Sequence, residues 1–350
     1  MEVPVLKDIT FHLEKGDKTA LVGINGAGKT TLLRILTGAL SPDSGEVTVP
    51  HDLSVGYLAQ DQGLSSDATI YEEAAKTKRH LAAMEEKIRS VEDRMATVSG
   101  AELSSLMEEY HAMLSSFDAL GGYTYKSEIP GVLKGLGFSE SDFDTRISTL
   151  SGGQKTRVAL AKLLLQDPAL IILDEPTNHL DIGSIRWLEN YIRGYKGTVL
   201  IVSHDRFFLD RTVNRVLELE NGRMTVFGGN YSAYAEKKKA LRAEQQRAYL
   251  NNRAVIKHQE EVIAKLKSFN REKSIKRAES REKMLAKMQV IEKPADVRSD
   301  MHLTFTPVLT GGRDVLHVER LAKSFGEKRL FSDVGFDVRR GEHIAVIGSN

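Results

Sequence analysis

The densest chemistry in this chain lies in Gly23-Ile24-Asn25-Gly26-Ala27-Gly28-Lys29-Thr30. Glycines at this spacing let backbone N–H groups converge on phosphate oxygens, and a helix starting at Lys29 adds positive potential at its N-terminus. Lys29 can reach a β- and a γ-phosphate, and Thr30 can bind Mg²⁺ through its hydroxyl. The candidate cradle is Gly23, Asn25, Gly26, Ala27, Gly28, Lys29, Thr30 and Thr31. Further on, Leu173-Asp174-Glu175 closes an apolar run. There Asp174 would join the Mg²⁺ shell and Glu175 would polarise an attacking water, although a solvated acidic turn reads the same way. Ser151-Gly152-Gly153-Gln154 precedes a helical stretch, with Ser151 as N-cap and two glycines leaving backbone donors open to a γ-phosphate. His204 and Gln60 each follow a strand-like run, a place where a lone His or Gln is usually structural.

These residues need strands to deliver them. Ile9–Leu13 and Thr19–Val22 read as strands, and Lys29–Leu40 as a helix. The apolar runs Leu170–Leu173 and Thr198–Val202 suit central strands covered on both faces. Strands alternating with helices predict an α/β domain with a largely parallel sheet, a P-loop nucleotide-hydrolase fold with helical insertions. From about residue 68 to 120 the pattern is long, charged and helical, broken near Ser99-Gly100, which predicts a hairpin. Spacing alone leaves open whether it is a packing insertion or a partner-binding arm. A second two-helix hairpin is expected beyond Tyr234, with Val255, Val262, Leu266 and Phe269 along one seam. Ala278 and Leu285 lie along the other, as do Met284 and Ile291, and Pro294 ends it.

The net charge of +1 hides an asymmetry: Glu236 to Lys293 holds 17 Lys/Arg against 8 Asp/Glu, and the rest of the chain is acidic. A basic block in an acidic chain points to a polyanionic partner. Without cysteine there is no disulfide, thiolate catalysis or cysteine-bound zinc. That fits a reducing compartment, and no stretch approaches the length of an apolar spanning helix, so the expectation is a soluble, cytoplasmic chain.

Shifted by 325 positions, the chain repeats itself. Asp8, Phe11, Gly16, Ala20, Gly23 and Asn25 recur as Asp333, Phe336, Gly341, Ala345, Gly348 and Asn350. Three parts are therefore expected: a first domain over 1–233, a basic hairpin linker over 234–297, and the start of a second copy over 298–350. The sequence reads as cut at both ends.

Phosphate loop, Gln60, Leu150–Gln154, Asp174-Glu175, Asn178-His179-Leu180-Asp181 and His204 resemble, in kind and order, the motif series of ATP-binding-cassette (ABC) ATPases. The resemblance implies that Gln60 senses Mg²⁺ and the attacking water. It implies that Ser151, Gly152, Gly153 and Gln154 contact the nucleotide of an opposing domain. Asp181 would line the domain interface and His204 would stabilise the γ-phosphate in the transition state. Two cassettes joined by a basic helical hairpin resemble the ABC-F family of translation factors and ribosome-protection proteins. The implied partners are the ribosome, through ribosomal RNA and peptidyl-site tRNA, and a second cassette. The insertion would be the family's ribosome-touching arm.

Around the hairpin tip, Arg271, Lys273, Lys276, Arg277 and Arg281 are the candidate RNA contacts, and such binding should weaken with salt. The short tip leans the reading toward general translation rather than antibiotic protection. The competing reading is the ATPase subunit of a membrane ABC transporter, in which a basic linker between cassettes has no purpose. DNA-transaction ATPases with cassette heads would need longer coiled coils or cysteine-bound zinc. ATP and Mg²⁺ are the expected ligands. Composite sites form between facing cassettes, so the chain alone is expected to bind ATP weakly and turn it over slowly unless two copies pair head to tail. The counterpart of Phe325 would stack on adenine.

Overall fold

A computed structural model of the chain describes residues 4–58, 66–268, 272–288, 312–326 and 328–346. Gln60, Phe269, Arg271, Ile291 and Pro294 lie outside the described residues, as does the side chain of Lys273.

The first compact unit runs to Leu241. It is built on a six-stranded sheet in the order β2-β3-β4-β1-β5-β6. The strands are β1 (Lys18–Val22), β2 (Val55–Leu58), β3 (Leu170–Asp174), β4 (Thr198–Val202), β5 (Arg215–Glu220) and β6 (Arg223–Gly228). All neighbours pair in parallel except β5 and β6, which form an antiparallel hairpin. β1 and β4 are buried along their whole length, as a sheet covered on both faces requires. One layer packs α1 (Lys29–Leu36) through Leu32 and Leu33 against Leu21, Leu200, Leu217 and Leu219. The opposite face packs the helices α2 (Ile70–Ala75), α5 (Tyr125–Gly135), α6 (Gly152–Gln166), α7 (Ile182–Gly194) and α8 (Arg206–Thr212) into the larger core.

Between β2 and β3 the expected hairpin is present as α3 (Arg79–Met95) and α4 (Ala101–Ala119). Gly100 supplies the turn with a φ of 72°. Leu81, Ile88 and Val91 of α3 and Leu106 and Phe117 of α4 are buried, and Tyr110 Oη donates to Glu92 across the hairpin at 2.5 Å. Ile9–Leu13 is not a strand. Ile9, Phe11 and Leu13 do alternate inward onto the core, but no ladder partner pairs with them among the described residues.

The second unit, from Arg242, contains most of α9 (Tyr231–Ser268), all of α10 (Glu272–Ala286) and the antiparallel pair β7 (Asp314–Phe325) and β8 (Lys328–Arg339). The hairpin seam differs from the expected one. Val255 is 45% exposed, while Val262 and Leu266 of the expected seam are half-buried; the inward row runs Ile256, Gln259, Ile263 and Leu266. Their four-three spacing is that of a coiled coil, and it includes a glutamine that apolar periodicity overlooks. Gln259 Oε1 accepts from Arg281 Nη1 at 2.7 Å, and Lys267 pairs with Glu282 at 2.6 Å. Ala278 is fully buried and Leu285 half-buried, as expected, whereas Met284 faces out.

The internal repeat is written in the backbone as well as the sequence. Asp8 and Asp333 both adopt left-handed φ, at 46° and 54°, and Gly16 and Gly341 do so at 87° and 88°. The turn also recurs. Asp17 N donates to Glu14 O and the Asp17 carboxylate accepts from Glu14 N; Glu342 does the same with Arg339.

Candidate active site

Sheet order explains why distant motifs meet. β2, β3, β4 and β1 are consecutive neighbours and all parallel, so their carboxyl ends share one edge. That edge carries Asp174 at the end of β3 and Glu175 just after it, Ser203 and His204 after β4, and the phosphate loop after β1. Ligands of open parallel sheets bind outside the carboxyl ends of the strands. β2 ends in register with Leu173, which brings the chain to this edge two residues before Gln60.

The phosphate loop has the backbone its glycines predict. Gly26 and Gly28 have φ of 80° and 101°, and Gly28 caps α1 without any side-chain acceptor. The first N–H groups of α1 are thus left for an outside acceptor, as an anion site needs. A Cβ on Gly23 would lie 2.4 Å from the carbonyl oxygen of Leu219 in β5, so only glycine lets the loop leave the sheet there. Gly28 is roofed by Val5 and Leu6, a contact that spacing could not show. Lys29 Nζ donates to the carbonyls of Gly23 and Ile24 at 2.8 and 3.2 Å. Thr30 is exposed at the mouth and Thr31 is half-buried.

Facing the loop are two carboxylates with different surroundings. Asp174 is 8% exposed and burial pushes its pKa up, while Lys29 and His204 pull it back. Glu175 turns sharply out of β3 with a φ of 50° and donates its N–H to Val202 O at 2.8 Å. Burial raises its pKa too, opposed by the backbone N–H of His204, which donates to Oε2 at 3.3 Å. The other oxygen, Oε1, is buried without a hydrogen-bond partner; His204 Nε2 stands 3.6 Å away. Lys29 has its pKa lowered by burial and raised in part by Glu175 and Asp174. Both carboxylates thus feel Lys29 and His204, and the four groups form one cluster. Glu175 therefore has one oxygen held by a backbone N–H and the other buried without a hydrogen-bond partner. Tyr57 of β2 also feels Asp174, and nothing in the sequence pattern marked it.

Mg²⁺ fits these residues by the chemistry of the donor set: a hydroxyl (Thr30), a buried carboxylate (Asp174) and a phosphate loop beside them. When bound, the ion would neutralise phosphate charge.

Ser151 is the N-cap of α6, in a reciprocal box with Gln154: Ser151 N donates to Gln154 Oε1 at 2.9 Å, and Gln154 N to Ser151 Oγ at 3.3 Å. That leaves Gly152 and Gly153 as the bare first turn. A Cβ on Gly153 would stand 3.1 Å from His179, so this turn packs on the segment after Glu175. Asp181 caps α7, accepting from Ser184 N at 2.7 Å. Among the hairpin cations, Arg277 is exposed, but Arg281 is half-buried on Gln259, which fits a structural part better than an RNA contact.

Two family profiles, both of the ABC transporter class, match residues 6–178 and 217–305. The ATP-binding protein YdiF of Bacillus subtilis is 44% identical over 99% of this chain and 54% of its own length. ABC transporter F family member 5 of Arabidopsis thaliana is 36% identical over 99% of this chain and 51% of its own. The energy-dependent translational throttle protein EttA of Haemophilus influenzae is 32% identical, over 99% and 61%. The chain belongs to the ABC-F family. Its sheet and phosphate loop are those of an ABC ATPase domain. The chain spans 51% to 61% of the length of these relatives. Among the described residues no helix is long and apolar enough to cross a membrane.

Proposed function

We propose that this ABC-F chain binds MgATP at the carboxyl edge of its sheet and hydrolyses it as part of a protein that acts on the ribosome. The observation that carries the reading is the cluster of Lys29, Asp174, Glu175 and His204, with one Glu175 oxygen buried and without a hydrogen-bond partner. In this reading the cradle from Gly23 to Thr31 holds the phosphates, and Thr30, Gln60 and Asp174 hold Mg²⁺. Glu175 takes the proton of the attacking water, and His204 steadies the γ-phosphate. Ser151 to Gln154 would serve the nucleotide of a facing cassette.

Residues 1–233 form the first cassette, 234–297 the linker and 298–350 the opening of a second. Structured RNA suits the net positive linker, with Arg271, Lys273, Lys276 and Arg277 around the expected tip. EttA's name as a translational throttle supports a role in translation. Titration with MgATP followed by calorimetry tests the first step. Binding that disappears in Lys29→Ala supports it, and equal binding by both proteins overturns it. Sedimentation with ribosomes, with and without ATP, tests the second; a chain that stays in the supernatant at low salt refutes the ribosome assignment.

A further inference from the structure

Two carboxylates of β5 lie beside the nucleotide edge and take no part in its chemistry. Glu218 is 7% exposed and pairs in register with Val22, the last residue before the phosphate loop. Its Oε1 accepts from Tyr234 Oη at 2.6 Å and its Oε2 from Lys238 Nζ at 2.6 Å. Lys238 also reaches Glu220. Tyr234 and Lys238 are four residues apart, hence on one face of α9. Between the two carboxylates stands Leu219, whose carbonyl oxygen lies 2.4 Å from where a Cβ on Gly23 would stand.

A second attachment comes from the other side of the site. Asp210 Oδ1 accepts from Ser232 N at 2.7 Å, holding the first turn of α9. Asp210 belongs to α8, whose N-cap, Asp205, directly follows His204. Lys237 Nζ adds a hydrogen bond to Gly228 O at 2.6 Å, and Tyr234 packs edge-on against Phe227 with centroids 5.1 Å apart. Buried ion pairs stabilise less than apolar packing of the same volume, but they fix geometry. Here they fix how α9 is rotated and where it starts.

We propose that the first two turns of α9 are a clamp that couples the nucleotide edge to the linker helix. The clamp grips β5 next to the phosphate loop and α8 next to His204, and α9 continues unbroken to Ser268. A change in either neighbour that follows phosphate occupancy is then carried into the helix. Tyr234, Lys238 and Asp210 act as positioning residues. The inference rests on the nucleotide reading above.

Hydrogen exchange of the whole chain with and without MgATP tests it. In the wild type, peptides covering β1 and α1 should gain protection, and peptides over residues 235–250 should change their exchange rate by about threefold or more. In Lys238→Met and in Asp210→Asn, β1 and α1 should still respond while the α9 response falls by more than half. Tyr234→Phe, which keeps the ring packing, should give an intermediate loss. Protection of β1 and α1 with no α9 response in the wild type overturns the clamp alone. So does an α9 response that survives in both the Lys238 and Asp210 variants. No protection of β1 and α1 in the wild type overturns the nucleotide reading, and the clamp with it.

Discussion

Replacing Glu73 by Gln should destabilise the chain by about 3 kcal/mol at neutral pH, and by less as the pH falls. Glu73 sits in α2, at the base of the α3–α4 arm, and is 5% exposed. Its Oε1 accepts from Lys162 Nζ of α6 at 2.5 Å, and its Oε2 from Lys76 Nζ at 2.5 Å and Ser66 Oγ at 3.1 Å. Burial alone would raise its pKa, but the two lysines and the serine outweigh burial and hold it at about 2, against an ordinary 4.5. The folded state therefore favours the ionised form. Its contribution is complete above the unfolded value near 4.5 and fades as pH drops toward 2. Glutamine imitates the protonated acid in shape, so the variant reports the same free energy. The gap of about 3 kcal/mol at pH 7 should shrink to about 2 kcal/mol at pH 3.5.

Urea unfolding followed by circular dichroism, at pH 7 and pH 3.5 and at constant salt, measures both gaps. A variant within about 0.5 kcal/mol of wild type at pH 7 would refute the reasoning, because surface pairs commonly reach that little. So would a gap that stays constant between the two pH values. Lys162 and Lys76 are a quarter to a third exposed and can turn to water, which makes about 3 kcal/mol an upper figure.

Four further outcomes are expected. Gly23→Ala must force Leu219 O away and should weaken MgATP binding by about tenfold, or about 1.4 kcal/mol, with unchanged affinity by calorimetry as the contrary result. Glu175→Gln should cut the hydrolysis rate about 100-fold or more while changing MgATP affinity by little; normal turnover in a phosphate-release assay would remove Glu175 as the base. In RNA-binding titrations across salt, Arg277→Ala should lower the slope of log affinity against log salt by about one. Arg281→Ala should instead loosen the α9–α10 hairpin, seen as lost helicity, and a pure slope change with full helicity would make Arg281 an RNA contact after all.

Local chemistry was legible in the sequence and long-range geometry was not. The phosphate loop could be read because strand, glycine turn and helix follow one another in the chain, and each constrains the next. Asp174, Glu175 and His204 could be placed at strand ends from the apolar runs before them. No periodicity could show that Leu219, far along the chain, sits against Gly23, or that Val5 and Leu6 roof Gly28. Ile9–Leu13 shows the limit clearly. Its apolar side chains do turn inward, but a strand also needs a neighbour, and a neighbour is not a local property. The hairpin seam was read in part: Val262, Leu266, Ala278 and Leu285 turn inward as expected, and Val255 and Met284 do not. Apolar spacing chose Val255 because valine is apolar, whereas the helix turns Gln259 inward to meet Arg281.

The order of motifs in the chain also hides their order in space. Chain order runs β1, β2, β3, β4, whereas the sheet runs β2, β3, β4, β1. Because β1 lies inside the sheet, the phosphate loop is flanked by the end of β4, carrying His204, and the end of β5, carrying Glu220. The chain leaves β2 at Leu58 and returns beside it in β3 at Leu170, after the whole helical insertion. Closing so long an excursion costs little more than closing a short one, because the entropy of closure grows only with the logarithm of length. An arm can therefore grow between two adjacent strands without moving the edge they share. Glu73 then becomes intelligible: it ties the base of the excursion to α6, so that the insertion is held to the helix whose first turn carries Ser151.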